Sequence, residues 1–152
     1  MGGRIVFDAH FCRTCKVCEM ICSITNEGQA RPALSRIKVV FDEFSESDPI
    51  EANVCAQCLD APCVDACPAT AMQRDNRTGT VLVDEESCTG CMECREACPW
   101  DVPDEHPDRS VAIKCDLCAD REEGPLCVQM CPLSGKALRL EPYVDSKERQ
   151  VK

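Results

Sequence analysis

Aromatic side chains are scarce in this chain, with one Trp, one Tyr and four Phe among 152 residues. That length allows one or two small domains, and a core without large rings needs some other means of holding itself together. No stretch of eighteen apolar residues occurs, so a membrane-spanning helix and direct membrane insertion are excluded. The first residues, Met1-Gly2-Gly3-Arg4-Ile5-Val6-Phe7-Asp8, carry no apolar leader core, no twin arginine and no small-residue cleavage site. A reducing, cytoplasmic location is therefore expected, which argues against disulfides. Without a secretion signal, Asn76-Arg77-Thr78 reads as a turn and not as a glycosylation site. Catalytic groupings are missing too. No nucleophile stands with an attendant base, Gly124 and Gly135-Lys136 are too far apart for a phosphate loop, and Ala137 occupies the place of its Ser or Thr. The chain is not expected to be an enzyme by itself. Basic residues are also in deficit, with 17 Lys and Arg against 27 Asp and Glu and a net charge of −10. This excludes nucleic acid and an anionic membrane face as natural partners. An acidic surface suits docking to a basic patch, and equally well simply keeps a protein soluble.

What the chain has in abundance is cysteine. Sixteen cysteines form four groups of four: Cys12, Cys15, Cys18, Cys22; Cys55, Cys58, Cys63, Cys67; Cys88, Cys91, Cys94, Cys98; and Cys115, Cys118, Cys127, Cys131. Pro68, Pro99 and Pro132 directly follow the last cysteine of the second, third and fourth groups. This is the iron–sulfur ferredoxin run, and sixteen thiolates suffice for four [4Fe–4S] clusters. Cysteines at i, i+3 and i+6 let a tight loop wrap one cubane and turn backbone N–H groups toward its sulfurs. The fourth cysteine points away and ligates the neighbouring cluster in two-cluster ferredoxins, and proline after it fixes the backbone. Zinc closes on two C-x2-C pairs and does not explain the third cysteine or the Cys-Pro ending. The C-x3-C-x2-C loop of radical chemistry is absent. Thiolates and four oxidised cores would bring the loaded chain to a charge of about −18, and folding is expected to depend on loading.

Because fourth cysteines are exchanged, the groups must pair. Ala69 to Arg74, a turn at Asp75-Asn76-Arg77-Thr78-Gly79, and Thr80 to Asp84 read as a hairpin joining groups two and three. Groups one and four then pair by elimination. The expected fold is α+β: two ferredoxin-like dicluster units with short β-hairpins and short helices, the inner nested within the outer. The outer unit takes residues 1–49 and 105–152, and the inner unit residues 50–104. Further strands are expected at Arg4 to Asp8, Ile37 to Asp42, Ser110 to Lys114 and Ala137 to Glu141. Glu43 to Asn53 and Asp101 to Arg109 read as linkers, and the tail after Pro142 as flexible or partner-bound.

The set of four spacings, with x4 in group two and x8 in group four, resembles the four-cluster iron–sulfur subunits of the dimethyl sulfoxide reductase type. Such subunits also occur in formate dehydrogenases, hydrogenase complexes and tungsten aldehyde oxidoreductases. The resemblance runs from about Ile5 to Leu140 and implies four ligand sets: Cys12, Cys15, Cys18 with Cys131; Cys115, Cys118, Cys127 with Cys22; Cys55, Cys58, Cys63 with Cys98; and Cys88, Cys91, Cys94 with Cys67. It implies an electron-transfer subunit docked on a larger catalytic subunit with a tungsten or molybdenum pterin. A flavin- or NAD-linked protein or a ferredoxin would be the redox partner, in an anaerobic, cytoplasmic setting. A free polyferredoxin is the alternative. Two features depart from the family. Ser23 replaces the proline after Cys22, where only a local turn is expected to change, and the chain is short for the family, pointing to a compact version such as the small subunits of tungsten-dependent aldehyde or aromatic-acid oxidoreductases.

Several other residues sit near cysteines. Trp100 reads as a shield against water more than as an electron relay. Met20, Met72, Met92 and Met130 read as gap-fillers around the clusters. His10 and His106 are read as without function. Lys16 and Lys114 either raise local potentials by their charge or are simply solvated, with nothing in the sequence to choose between them.

Overall fold

The computed structural model describes residues 2–46 and 48–143. Among them the strands are short and pair only in twos. β1 (Arg4–Phe7) pairs with β8 (Leu138–Glu141), β2 (Ile37–Phe41) with β3 (Ile50–Val54), β4 (Met72–Arg74) with β5 (Val81–Val83), and β6 (Asp104–Glu105) with β7 (Ala112–Ile113), all antiparallel. Helices α1 (Val17–Glu27), α2 (Pro62–Asp65), α3 (Glu93–Glu96) and α4 (Leu126–Gln129) each carry the third cysteine of one group. The result is the small α+β architecture expected of a ferredoxin-like protein.

The β4–β5 hairpin forms where the turn chemistry placed it. The Asp75 carboxylate accepts from the backbone N–H of Arg77 at 2.7 Å and from the Thr78 hydroxyl at 3.1 Å, while Gly79 takes the left-handed conformation at φ 75°. These hydrogen bonds, the one from Arg77 foremost, hold the Asp75 carboxyl below its ordinary range. The β1–β8 pairing, Arg4 opposite Glu141 through Phe7 opposite Leu138, joins the first described strand to the last.

Two expected linkers prove partly structured. The segment 43–53 contains most of β3, so a hairpin crosses residue 49 with Ile37 opposite Val54 and Phe41 opposite Ile50. Within 101–109 lies β6, and its Asp104 is held by ion pairs to Arg95 at 3.0 Å and to Lys38. In the tail, the Tyr143 hydroxyl donates to the Thr78 carbonyl at 2.9 Å. The remainder of that tail, 144–152, lies outside the described residues.

Ser23 does more than alter a turn. Helices α2, α3 and α4 span four residues each and end before a Cys-Pro step, whereas α1 continues through Cys22 and Ser23 for 11 residues. Proline lacks the N–H that a continuing helix needs and its ring clashes with the preceding turn. Serine has neither defect. Ser23 is wholly buried, its hydroxyl donating to the Met20 carbonyl at 3.0 Å and accepting from the Arg31 N–H at 3.2 Å. The added turns reach the rest of the chain through Glu27, which meets Arg36 at 3.3 Å and Arg109 at 3.0 Å. Buried His106 also packs against Glu27, with Nε2 at 3.5 Å.

Two apolar clusters hold these elements, and both contain cysteine. Ile5, Ile37, Val39, Val54, Leu117 and Leu138 pack with Cys18, Cys22, Cys115 and Cys127. Ala61, Met72, Val81 and Ala112 pack with Cys94. Buried Glu19 ties α1 to β2, accepting from the Val39 N–H and from the Lys16 ammonium at 2.8 Å. The apolar core is thus built around sulfur.

Candidate metal centres

None of the sixteen cysteines is joined in a disulfide. Each group begins with the same backbone device. The residue two positions after the first cysteine is left-handed in every case: Thr14 at φ 52°, Gln57 at 52°, Gly90 at 70° and Leu117 at 59°. This curls the loop, and at three of the four its own N–H points back to the first sulfur. Thr14, Gln57 and Leu117 donate to Cys12, Cys55 and Cys115 Sγ at 3.4 Å each. A second left-handed residue stands two before the third cysteine in the first three groups: Lys16, Ala61 and Met92. In the fourth group Pro125 takes that place with extended backbone, as the longer insertion permits.

Gly90 is the one glycine among the four loop positions, and space as well as φ requires it. A Cβ there would meet the Ser110 carbonyl oxygen at 2.6 Å. Gly90→Ala should cost about 2 kcal/mol or more, from left-handed strain and that contact. Thermal unfolding of anaerobic, loaded protein should show a midpoint lowered by several degrees. A midpoint unchanged in Gly90→Ala would show that the loop tolerates a side chain there.

Helices α2, α3 and α4 carry the third cysteine and end before the fourth, whereas α1 carries both Cys18 and Cys22. Three cavities result. The first is lined by Cys88, Cys91 and Cys94 with Cys67; the second by Cys115, Cys118 and Cys127 with Cys22; the third by Cys55, Cys58 and Cys63 with Cys98. Each holds three cysteines from one group and one from another. In the remaining loop Cys12 and Cys15 lie near enough for their charge to act on Cys18, and Cys131 packs against the same apolar cluster as Cys12 and Cys18. Among the described residues no three His, Cys, Asp or Glu side chains converge on a point suited to one metal ion. The thiols surround a space instead.

Burial pushes the thiols up. Cys18 rises to about 11 and Cys63 to about 12, in both cases foremost through desolvation, and Cys58, Cys94, Cys115, Cys118 and Cys127 rise for the same first reason. A thiolate in such a place needs a positive group to accept its charge, and loading must release protons. Charge also reaches from one cysteine set to the next. Cys127 feels Cys18, Cys115 feels Cys55, and Cys63 feels Cys94. Successive cysteine sets are therefore neighbours: the Cys12 loop adjoins the Cys115 cavity, the Cys115 cavity adjoins the Cys55 cavity, and the Cys55 cavity adjoins the Cys88 cavity.

The cavities fit polynuclear iron–sulfur clusters. Their donors are thiols, their linings are largely apolar, and N–H groups reach their sulfurs. Ala112 N–H to Cys88 Sγ and Arg36 N–H to Cys22 Sγ, both at 3.3 Å, add to the three loop contacts. Such hydrogen bonds help set cluster potentials.

The surrounding residues divide. Trp100 lines the Cys55 cavity, as a shield would. Met72 and Met92 line the Cys88 cavity, but Met20 and Met130 are about half exposed and fill no gap. His10 is exposed, its ring edge-on to Phe11 at 5.3 Å. Two polar residues carry more than the sequence disclosed. Gln57 is wholly buried, donating to the Cys115 carbonyl at 2.6 Å and accepting from the Val81 N–H at 2.8 Å. Lys114 reaches the same two strand ends, donating to the carbonyls of Val81 and Cys115. No local signal in the sequence marks Gln57, and for Lys114 only its place beside Cys115 did, without separating a buried charge from a solvated one.

Fold and site together define an iron–sulfur electron-transfer protein. The chain belongs to the 4Fe-4S dicluster domain family, whose model matches residues 49–141; that span takes in the second, third and fourth cysteine groups. It is 40% identical over 124 residues to the aliphatic sulfonate oxidoreductase, polyferredoxin-like subunit, of Pyrococcus furiosus, covering 82% of this chain and 68% of that one. It is 39% identical over 141 residues to the putative electron transport protein YsaA of Escherichia coli, covering 87% and 86%. Among solved structures it resembles a chain of the active site complex BamBC of benzoyl coenzyme A reductase bound to benzoyl-CoA. There the TM-score is 0.51 and the identity 27%, over 90% of this chain and 76% of that one. Among the described residues, no helix is long and apolar enough to cross a membrane.

Proposed function

We propose that the chain is an electron-transfer subunit that carries single electrons through four [4Fe–4S] clusters between a catalytic oxidoreductase subunit and a redox partner. The observation that carries this reading is the composition of the three cavities, each with three cysteines of one group and the fourth of another. The ligand sets are Cys12, Cys15, Cys18 and Cys131; Cys22, Cys115, Cys118 and Cys127; Cys55, Cys58, Cys63 and Cys98; and Cys67, Cys88, Cys91 and Cys94. When bound, each cluster takes up and gives back one electron without requiring a proton. The chain's own part is to set successive sites beside one another, keep water away with residues such as Trp100, and direct N–H groups at sulfur. Residues 50–104 form the inner pair of sites and the flanking segments the outer pair.

The catalytic partner is a tungsten or molybdenum pterin subunit in an anaerobic cytoplasm, and the redox partner a flavin- or NAD-linked protein or a ferredoxin. Relatives named as an oxidoreductase subunit and a neighbour within a reductase complex support a docked role. Anaerobic native pull-down should recover a larger oxidoreductase with the chain. Recovery of the chain alone, reducing several unrelated enzymes, would favour a free polyferredoxin.

Cluster count and exchange have a sharper test. Anaerobic protein should contain about sixteen iron and sixteen acid-labile sulfide per chain, and a fully occupied preparation near twelve would remove one site. Cys67→Ala should disturb the cluster on Cys88, Cys91 and Cys94 while leaving the spectrum of the Cys55 site unchanged. Perturbation confined to the Cys55 site would refute the exchange.

A further inference from the structure

The structure separates the two lysines that adjoin cysteines. Lys16 keeps 43% of its side chain exposed and pairs with Glu19, so its charge is both wet and neutralised. Lys114 is 3% exposed, and both its acceptors are backbone carbonyls, those of Val81 and of Cys115, the latter at 2.9 Å. An ammonium group taken from water into such a place is costly without a nearby negative charge. Lys114 lines the cavity of Cys55, Cys58, Cys63 and Cys98. Although it precedes Cys115 in the chain, it serves the cavity built by a different cysteine group.

The other three sites differ. No charged side chain lines the Cys88 cavity. Arg36 lines the Cys115 cavity, but it is paired with Glu27 at 3.3 Å and Asp116 at 3.2 Å. Beside Cys18 the buried charged group is Glu19, an anion. At the Cys55 cavity the opposing anion is Asp60, on the exposed rim beside Cys58.

We propose that Lys114 makes the station held by Cys55, Cys58, Cys63 and Cys98 the highest in potential of the four, so that in partly reduced protein the electron rests at a site between two neighbouring ones. This rests on the reading that the cavity holds a [4Fe–4S] cluster. One-electron reduction adds one negative charge and moves no proton, and a fixed, dry positive charge stabilises that addition more than a solvated one does. Lys114 acts as a tuning residue. It is not a ligand.

The test is a dithionite titration followed by electron paramagnetic resonance on anaerobic protein, with iron counted first. Iron well below sixteen in the wild type would count against the four-cluster reading and not against the tuning. Lys114→Met should lower one midpoint by about 59 mV, equivalent to about a tenfold change in the reduced-to-oxidised ratio at fixed potential, and leave the other three in place. Lys114→Gln, which keeps an N–H donor, should behave like Lys114→Met, and Lys114→Arg should restore most of the shift. Unchanged midpoints in Lys114→Met and Lys114→Gln would overturn the proposal, as would an equal loss in Lys114→Arg, which would mark a packing role. In the otherwise wild-type protein, the first signal to appear on reduction should be the one that Cys58→Ser alters. A first signal untouched by Cys58→Ser would overturn the proposal without any Lys114 variant, even if such variants fail to load iron.

Discussion

Stripping iron from the anaerobic protein with a chelator should unfold it almost completely, with loss of helical and strand circular dichroism and a large increase in hydrodynamic radius. The expectation follows from what remains once the clusters are gone. The four sheets of the described residues have two strands each, and an isolated two-stranded hairpin is marginal in water. Three of the four α-helices among the described residues have four residues, too short to persist unaided. Among the described residues, nine other than glycine hold positive φ, from Thr14 to Cys118, at about 1 kcal/mol or more apiece. Both apolar clusters are completed by cysteine. Restoring iron and sulfide should restore the fold. A metal-free chain that kept native dichroism and radius would show that the apolar contacts suffice, and that the left-handed loops are stable on their own.

Much of this architecture is legible in the sequence because its determinants are local. The Asp75 to Gly79 turn and the alternation of Ile37, Val39 and Phe41 are short-range signals, and the strands they mark are present. The family resemblance implied the cysteine sets, three of which line the three cavities. What escaped is set by distant partners. Ile50-Glu51-Ala52-Asn53-Val54 has little strand propensity of its own and is strand because β2 offers a register and Val54 a buried place. Asp104 and Glu105 form β6 through a pairing that spans only two residues. The left-handed loop positions announce themselves only at Gly90; Thr14, Gln57 and Leu117 adopt the same conformation against their preference. Gln57 looks like an ordinary loop residue until the chain folds around it, and for Lys114 the sequence left a potential-raising charge and a solvated one equally open.

Ser23→Pro, a change that makes the first group match the other three in sequence, should be among the most damaging single substitutions outside the cysteines. The other groups tolerate proline because their helices have already ended. In α1 residue 23 is the seventh of 11. Proline there removes a helical hydrogen bond and drives its ring into the preceding turn, at a cost of about 3 kcal/mol or more. It also deletes a wholly buried hydroxyl and removes one of the two acceptors of the Arg31 N–H, which keeps only the Gln29 carbonyl at 3.0 Å. The damage should spread to both ends of the helix. Toward the C-terminus, Glu27 would lose its position between Arg36, His106 and Arg109. Toward the N-terminus, Cys22 would shift relative to Cys115, Cys118 and Cys127. The variant should therefore lose about four iron per chain, with the signal of that one site weakened first, and melt well below the wild type. Ser23→Ala keeps the helix and removes only the hydroxyl, so it should retain full iron and a milder loss of about 1–2 kcal/mol. If Ser23→Pro loads full iron and melts with Ser23→Ala, then α1 is an ornament on a loop like the other three, and its length has no part in placing Cys22.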